Sequence, residues 1–271
     1  PAALPPEIAK TLQWIQADPA AASSWVPSMP LHDALAASDG VVNLAGEPIA
    51  EQRWSVQHLE KLEASRLCTT SHLVSAMATL AEPPSVLVNA SAVGYFGTSL
   101  DERFEESSPA GDDFLARLCQ KWEQAAAQKP SATRLVVLRI GIVLSSEGGA
   151  LAKMLPVFRA GFGGPIGSGQ QWMSWIERGD LCRIIQSSLE SESWSGVINA
   201  VAPDPVTMAA FAGSLGRCLG RPSLLAVPGP MLQLLLGDGS KVVLEGQFVS
   251  SSRLEELGFS FRCPTLPVAL D

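Results

Sequence analysis

The sequence holds little of what most metal, membrane and nucleic-acid chemistries require. Its 271 residues include one tyrosine and three histidines, His32, His58 and His72, which have no metal-ligand spacing, so no metal site is expected. The five cysteines, Cys68, Cys119, Cys182, Cys218 and Cys263, are odd in number, widely spaced and without a Cys-x-x-Cys pair. That excludes a zinc knuckle or a secreted disulfide framework and points to a reducing compartment. No apolar run approaches the ~18–20 residues of a membrane span; the longest, residues 231–236, stops at Gly237. No cluster of Lys and Arg occurs and the formal net charge is −8, against a nucleic-acid partner, because phosphate neutralisation needs clustered cations. No repeat is present. No Gly-x-Gly-x-x-Gly precedes residue 40, and the order of Gly237-Asp238-Gly239-Ser240-Lys241 is wrong for a nucleotide phosphate loop, so it and the glycines of 161–169 read as turns. The chain starts at Pro1 with neither an initiator Met nor a signal peptide, from which processing, trimming or an unobserved beginning is expected.

What is present suffices for a large core: 46% of the residues are hydrophobic and 17% charged. Residues 1–10 read as an irregular lead-in, 11–16 as a strand, 19–31 as a loop and 33–37 as a short helix. Residues 40–44 form a buried strand, apolar on both faces as parallel strands are. A long amphipathic helix follows over 55–80, with Leu59, Leu62, Leu67, Leu73 and Met77 among its apolar positions, and Pro83-Pro84 stops it. Residues 85–91 and 134–139 are further buried strands flanking a helix at 112–128. This alternation predicts an α/β fold with a doubly wound parallel sheet.

Beyond Gly141 the texture changes. Helices are expected at 151–159, 179–189 and 207–220, the last capped by Thr207, with a strand at 196–200 and a capping box, Ser252-x-x-Glu255, opening the last short helix. The expected division is a sheet domain of 1–145 plus about 176–202, and a smaller C-terminal α+β lobe of 146–175 plus 203–271. Ligands of doubly wound sheets sit beyond the carboxyl ends of the strands. Three such ends carry small or polar residues: Asn43 to Gly46, Asn89 to Ser91, and Arg139 to Gly141. The acidic group Asp101, Glu102, Glu105 and Glu106 reads as a solvated loop. Trp172 and Trp175 either shape an apolar pocket or pack in the core.

Several stretches carry a resemblance. Val41-Val42-Asn43-Leu44-Ala45-Gly46-Glu47-Pro48-Ile49-Ala50 with Arg53-Trp54, Asn89-Ala90-Ser91-Ala92-Val93-Gly94-Tyr95-Phe96-Gly97 and Leu138-Arg139-Ile140-Gly141 are three of them; Gly163-Gly164-Pro165-Ile166-Gly167 and Leu236-Gly237-Asp238-Gly239 are two more. Together they resemble an atypical, epimerase-like branch of the extended short-chain dehydrogenase/reductases, with cyanobacterial and plastid members nearest. The resemblance implies a Rossmann-like NAD(P)-binding fold, an NADP(H) cofactor across the sheet and a substrate under the C-terminal lobe. It implies that Asn43, Ala45 and Gly46 line the adenosine-ribose side, that Asn89 belongs to the cofactor-binding strand ends, that Ser91 takes the place of the superfamily's catalytic Ser/Thr, and that Arg139 and Gly141 lie at the nicotinamide end. The stroma or the cytoplasm is the implied location.

Two departures bear on activity. The superfamily's acid/base is a Tyr with a Lys four residues later; a bare phenol is a poor base at neutral pH. The single tyrosine, Tyr95, has Ser99 at that spacing, while the helix that should carry the pair places Leu115 and Cys119 there. Tyr95 from its loop, or Cys119 as a nucleophile, are the substitutes to consider. The second departure is that residues 40–44 match the fourth strand of the 3-2-1-4-5-6 order, whose central first strand and glycine loop have no counterpart ahead of them. An open sheet edge is expected, covered by a protein partner or by further chain. Three functions stay open: a cofactor-binding protein with little turnover, a structural or accessory subunit, and an NADP-dependent oxidoreductase or epimerase of a small or sugar-like substrate.

Overall fold

Runs of β-branched and leucine residues, each closed by a small or polar residue, build a four-stranded parallel sheet in the computed structural model, which describes residues 10–271. The strands are β1 (Gly40–Asn43), β2 (Val86–Ala92), β3 (Arg134–Ile140) and β4 (Gly196–Ala200), hydrogen-bonded in that order. The helices that position the site are α1 (Pro30–Ala36), α2 (Val56–Thr79), α3 (Phe114–Ala127), α4 (Gly149–Arg159), α5 (Arg178–Glu190), α6 (Met208–Cys218) and α7 (Gly229–Leu236). Ser55 caps α2 by accepting from the His58 N–H, and Asp113 caps α3 by accepting from the Ala116 N–H.

The two-residue period of the strands sorts the faces. Val86 and Val88 of β2 and Val136 and Leu138 of β3 join Leu181 and Ile184 of α5 in one apolar cluster. Leu87 turns the other way and packs with Leu73, Val74 and Met77 of α2 and Leu35 of α1. On this second face Asn89 and Ser91 follow Leu87 along β2, and Arg139 stands opposite Ser91 in the ladder. The polar residues of the site therefore share one side of the sheet, under α2 and α3.

A separate core lies past β3. Leu151, Leu155 and Phe158 of α4 pack with Phe211 and Leu215 of α6 around Trp175, whose indole N–H donates to the Asp204 carbonyl at 2.7 Å. Thr207 caps α6 as expected, accepting from the Ala210 N–H. The two-residue strand Phe248–Val249 pairs in parallel with Arg103–Phe104, tying the C-terminal segment to the loop after β2. Among the described residues no helix is long and apolar enough to cross a membrane.

Four expectations need correction. Residues 11–16 form no strand: a strand needs a ladder partner, they pair with none among the described residues, and Trp14 is 74% exposed. Residues 19–31 are not all loop, since a 3₁₀ turn occupies Ala22–Trp25 and α1 already starts at Pro30. The first three residues of β1 are only half-buried, because it is the edge strand; its second side pairs with no strand among the described residues. Ser252 opens its helix as the first helical residue, not the cap. The Ser251 side chain caps nothing, and the Ser250 hydroxyl accepts from the Ser252 N–H instead. Residues 1–9 of the lead-in lie outside the described residues.

Candidate functional site

A buried polar network sits beneath the strand ends. The Asn43 side-chain amide donates to Thr70 Oγ1 at 2.9 Å and to Asn89 Oδ1 at 2.7 Å. Trp122 Nε1 of α3 donates to the same Thr70 oxygen at 2.9 Å. Asn89 closes the set by donating to the Ala90 carbonyl. With Asn43 at 5% and Asn89 at 0% exposure, both residues join β1 and β2 to α2 and α3 from within.

One layer further out, Ser91 Oγ donates to Glu123 Oε1 at 2.6 Å. Arg139 grips that carboxylate with two parallel bonds, Nε to Oε1 and Nη2 to Oε2, both 2.9 Å, and gives Nη1 to the Glu106 carbonyl at 3.1 Å. The Tyr95 ring lies 3.3 Å from the guanidinium carbon. Both members of the ion pair are withdrawn from water, with side chains 4% and 13% exposed. The fork engages both carboxylate oxygens at once. A hydroxyl has one proton, and Ser91 gives its own to Glu123; its lone pairs remain as acceptors, with the Cys119 thiol also within hydrogen-bond reach. Glu106 is not a solvated loop residue: its carboxylate accepts the Asn199 backbone N–H at 2.9 Å, because the loop folds back over the ends of β3 and β4.

Ser91 opens onto a cavity of about 540 Å³ at the carboxyl ends of β2 and β3. Its floor is made of small residues, among them Ala90, Ala92, Gly94 and Gly141. Leu115, Leu118, Cys119 and Trp122 of α3 wall one side, Trp54 and Trp172 stand on others, and Asp238, Lys241 and Glu245 close over it. The Arg53-Trp54 and Leu236-Gly237-Asp238-Gly239 stretches meet here. A side-chain carbon at Gly239 would sit 2.8 Å from the Trp54 ring, so the glycine lets the indole pass.

Leu115 and Cys119 both face the cavity, at the positions where a Tyr and a Lys were sought. Burial pushes the Cys119 thiol up to about 11 from an ordinary 9.0, and the nearby Ser91 hydroxyl and Ala92 backbone only partly offset it. The thiol is therefore neutral near pH 7 and a poor nucleophile. Iodoacetamide at neutral pH is expected to label the exposed Cys182 and Cys218 and to leave Cys119 unmodified, as read by peptide mass spectrometry. Equal labelling of Cys119 would show that the helix opens. Between pH 9 and about 11 the unfolded chain releases this proton first, so the stability supplied by the neutral thiol is complete below that window and declines as the pH rises through it.

Of the residues expected at a ligand, Ser91 and Gly141 line the cavity and Asn43 and Asn89 lie behind its wall. Arg139 and Tyr95 stack on each other outside it, the arginine's donors taken up by Glu123 and Glu106. Ala45 is not among the lining residues, and its N–H donates to Asn43 Oδ1. Gly46 makes room for another side chain: a carbon added there would meet the Arg66 guanidinium at 2.9 Å. Trp172 lines the cavity, whereas Trp175 is core. Sequence reading missed the partnership of Ser91 with Glu123, and it missed Arg66. An arginine four residues after Leu62, on the buried stripe of α2, was the available signal. Glu177, Asp180 and Cys263 also converge within 4.8 Å. Their carboxylates are already engaged, Glu177 with the Asp180 N–H and Asp180 with the N–H groups of Arg262 and Cys263.

Known proteins are similar to this chain in sequence and fold. A family model described as "Domain of unknown function (DUF1731)" matches residues 227–271, the segment that closes over the cavity. The chain is 47% identical over 227 residues to the epimerase family protein SDR39U1 homolog, chloroplastic, of Arabidopsis thaliana; the match covers 83% of this chain and 65% of that protein, so the chain spans less than two thirds of that relative. It is 42% identical over 247 residues to the epimerase family protein SDR39U1 of Homo sapiens, covering 88% of this chain and 84% of the relative. The crystal structure of the human protein (isoform2) with NADPH superimposes with a TM-score of 0.85 at 40% identity, covering 90% of this chain and 86% of that one. A nucleoside-diphosphate sugar epimerase of Corynebacterium glutamicum aligns with a TM-score of 0.70 at 33% identity, over 91% of this chain and 48% of that one.

Proposed function

The chain belongs to the SDR39U1 epimerase family, and from that premise we propose that it is an NADP(H)-binding protein that does not turn over by the superfamily's tyrosine–lysine route. The observation that carries this reading is the pair of cavity-facing residues on α3. Leu115 has no proton to move, and Cys119 keeps its own. Losing a positioned acid/base forfeits on the order of 10²–10⁴ in rate.

The small residues of the floor fit the flat nicotinamide end of the cofactor, which supplies a hydride donor or acceptor when bound. Ala92, Gly94 and Gly141 would lie against it, and Ser91, turned into an acceptor by Glu123, would take a hydrogen bond from an amide or hydroxyl. The phosphates and adenosine belong on the free side of β1, beside Ala45 and Gly46, where a further strand and its glycine turn would complete the seat. That free edge also favours a second reading, in which a partner protein adds a strand to β1 and the chain acts as an accessory subunit. The division into a sheet domain (1–145 with about 176–202) and a C-terminal lobe (146–175 with 203–271) goes with the first reading, supported by the separate apolar cores. So does a plastid location, supported by the name of the Arabidopsis relative.

Trp54, Trp122 and Trp172 around the cavity make tryptophan emission the reporter. Titration with NADPH is expected to quench it saturably, with no oxidation of NADPH in the presence of small aldehydes, ketones or nucleotide sugars. A linear, unsaturated response overturns the cofactor reading, and steady oxidation overturns the absence of turnover.

A further inference from the structure

Arg66 is a buried cation without an anion. Its side chain is drawn into the fold, with the residue 8% exposed, yet no carboxylate among the described residues lies within ion-pair distance of it. Glu47 is the nearest candidate, but its carboxylate bonds Lys61 at 2.7 Å and it offers Arg66 only its backbone carbonyl, 3.0 Å from Nη2. Nη1 donates to the Leu62 carbonyl at 3.2 Å. A guanidinium has five N–H donors, and the others have no protein partner among the described residues. The contrast with Arg139, also buried, and with the half-buried Arg134 is informative. Arg139 holds both oxygens of Glu123, and Arg134 gives its donors to three backbone carbonyls.

The position of this unanswered charge is the second observation. Arg66 lines the cavity, lies over the Trp122 ring at 5.3 Å and rests against Gly46, whose missing side chain is what admits it. Burial lowers its pKa, which measures the desolvation cost it bears. Lys241, at the mouth of the cavity, is exposed to water and does not share that cost. The lining it shares is largely apolar and includes Ile49, Trp54, Leu59 and Leu118. A buried cation in a largely apolar cavity is complementary to an amphipathic anion, whose head neutralises the charge and whose tail replaces water along the walls.

We propose that Arg66 anchors the anionic head group, carboxylate or phosphate, of a small ligand whose apolar remainder fills the cavity. The proposal deepens the functional reading by naming a substrate class, and it rests on the cavity being the ligand seat.

Hexanoate, its neutral counterpart hexanamide, and inorganic phosphate test it, with tryptophan emission as readout because Trp122 touches the charge. Hexanoate is expected to quench saturably and to bind at least about tenfold more tightly than hexanamide, the difference a charge-assisted fork supplies. In Arg66→Met the two are expected to bind alike, and Arg66→Lys is expected to restore part of the preference. Replacing a buried charge by an apolar side chain of similar length is compatible with folding; Arg66→Gln, with circular dichroism on each variant, guards the comparison. Phosphate that displaces hexanoate assigns the seat to phosphate esters as well, and phosphate that does not assigns it to carboxylates; both support an anion seat. Equal binding of hexanoate and hexanamide, no binding of either, or undiminished hexanoate binding by Arg66→Met overturns it. NADPH saturation without a hexanoate response sinks this inference alone, and the reverse sinks the cofactor reading alone.

Discussion

Arg139→Met is expected to lower the free energy of unfolding by about 3–5 kcal/mol, the cost of leaving a buried charge without its partner. The substitution removes both bonds to Glu123, the donor to the Glu106 carbonyl and the cation against Tyr95, while the carboxylate stays where water barely reaches it. Urea denaturation of wild type and variant measures the loss. The companion variant Arg139→Met/Glu123→Leu is expected to recover most of it, because an apolar pair of similar size carries no desolvation cost. A loss below about 1 kcal/mol in the single variant, typical of an exposed pair, would show that water reaches Glu123 and that Ser91 is not fixed as an acceptor. That result would also undo the role given to Ser91.

The second large effect concerns the cover of the cavity. Gly246→Ala is expected to separate the C-terminal segment from Trp172, because the new carbon would stand 2.0 Å from the Trp172 carbonyl oxygen. That obstacle is backbone and cannot rotate away. Trp172 is itself held by the Leu100 carbonyl and by Phe248, and Gly246 accepts the Ser99 N–H, so the displacement spreads through three segments. Overpacking of this kind costs about 1–3 kcal/mol. Both residues line the cavity, so the NADPH and hexanoate titrations should weaken together while far-ultraviolet circular dichroism keeps the sheet and helix signal. Gly148→Ala is the control, since a carbon there meets nothing within 4 Å. Unchanged titrations in Gly246→Ala would show that this segment is not part of the ligand seat.

Much of this architecture was legible in the chain itself. The strands at 86–92, 134–140 and 196–200 are long apolar runs with clear stops, and α2, α3, α5 and α6 carry helical periodicity and side-chain caps. Such signals are local, so they survive without knowledge of neighbours. The resemblance put Leu115 and Cys119 at the Tyr and Lys positions of that helix, and one turn of helix brings both to the same side, facing the cavity. It failed at residues 11–16, where β-prone residues find no ladder. It failed again at Ser252, where the box pattern occurs but Ser250 does the bonding. Asn43 ends β1 while Asn89 lies midway along β2, and how their amides are satisfied depends on Thr70, a residue 27 positions from one and 19 from the other.

The sequence alone determined the family, the sheet-and-helix alternation and the loss of the tyrosine–lysine pair, because each depends on residue identity at short spacing. Only the tertiary structure decided what those residues do. Glu123 meets Ser91 across 32 positions and gives it the character of an acceptor. Arg66 reaches past Gly46 into the cavity with no carboxylate within ion-pair distance among the described residues. Side-chain charge is written in the chain. Whether a charge is answered is a matter of distance and burial, and those exist only once the strands and helices have packed.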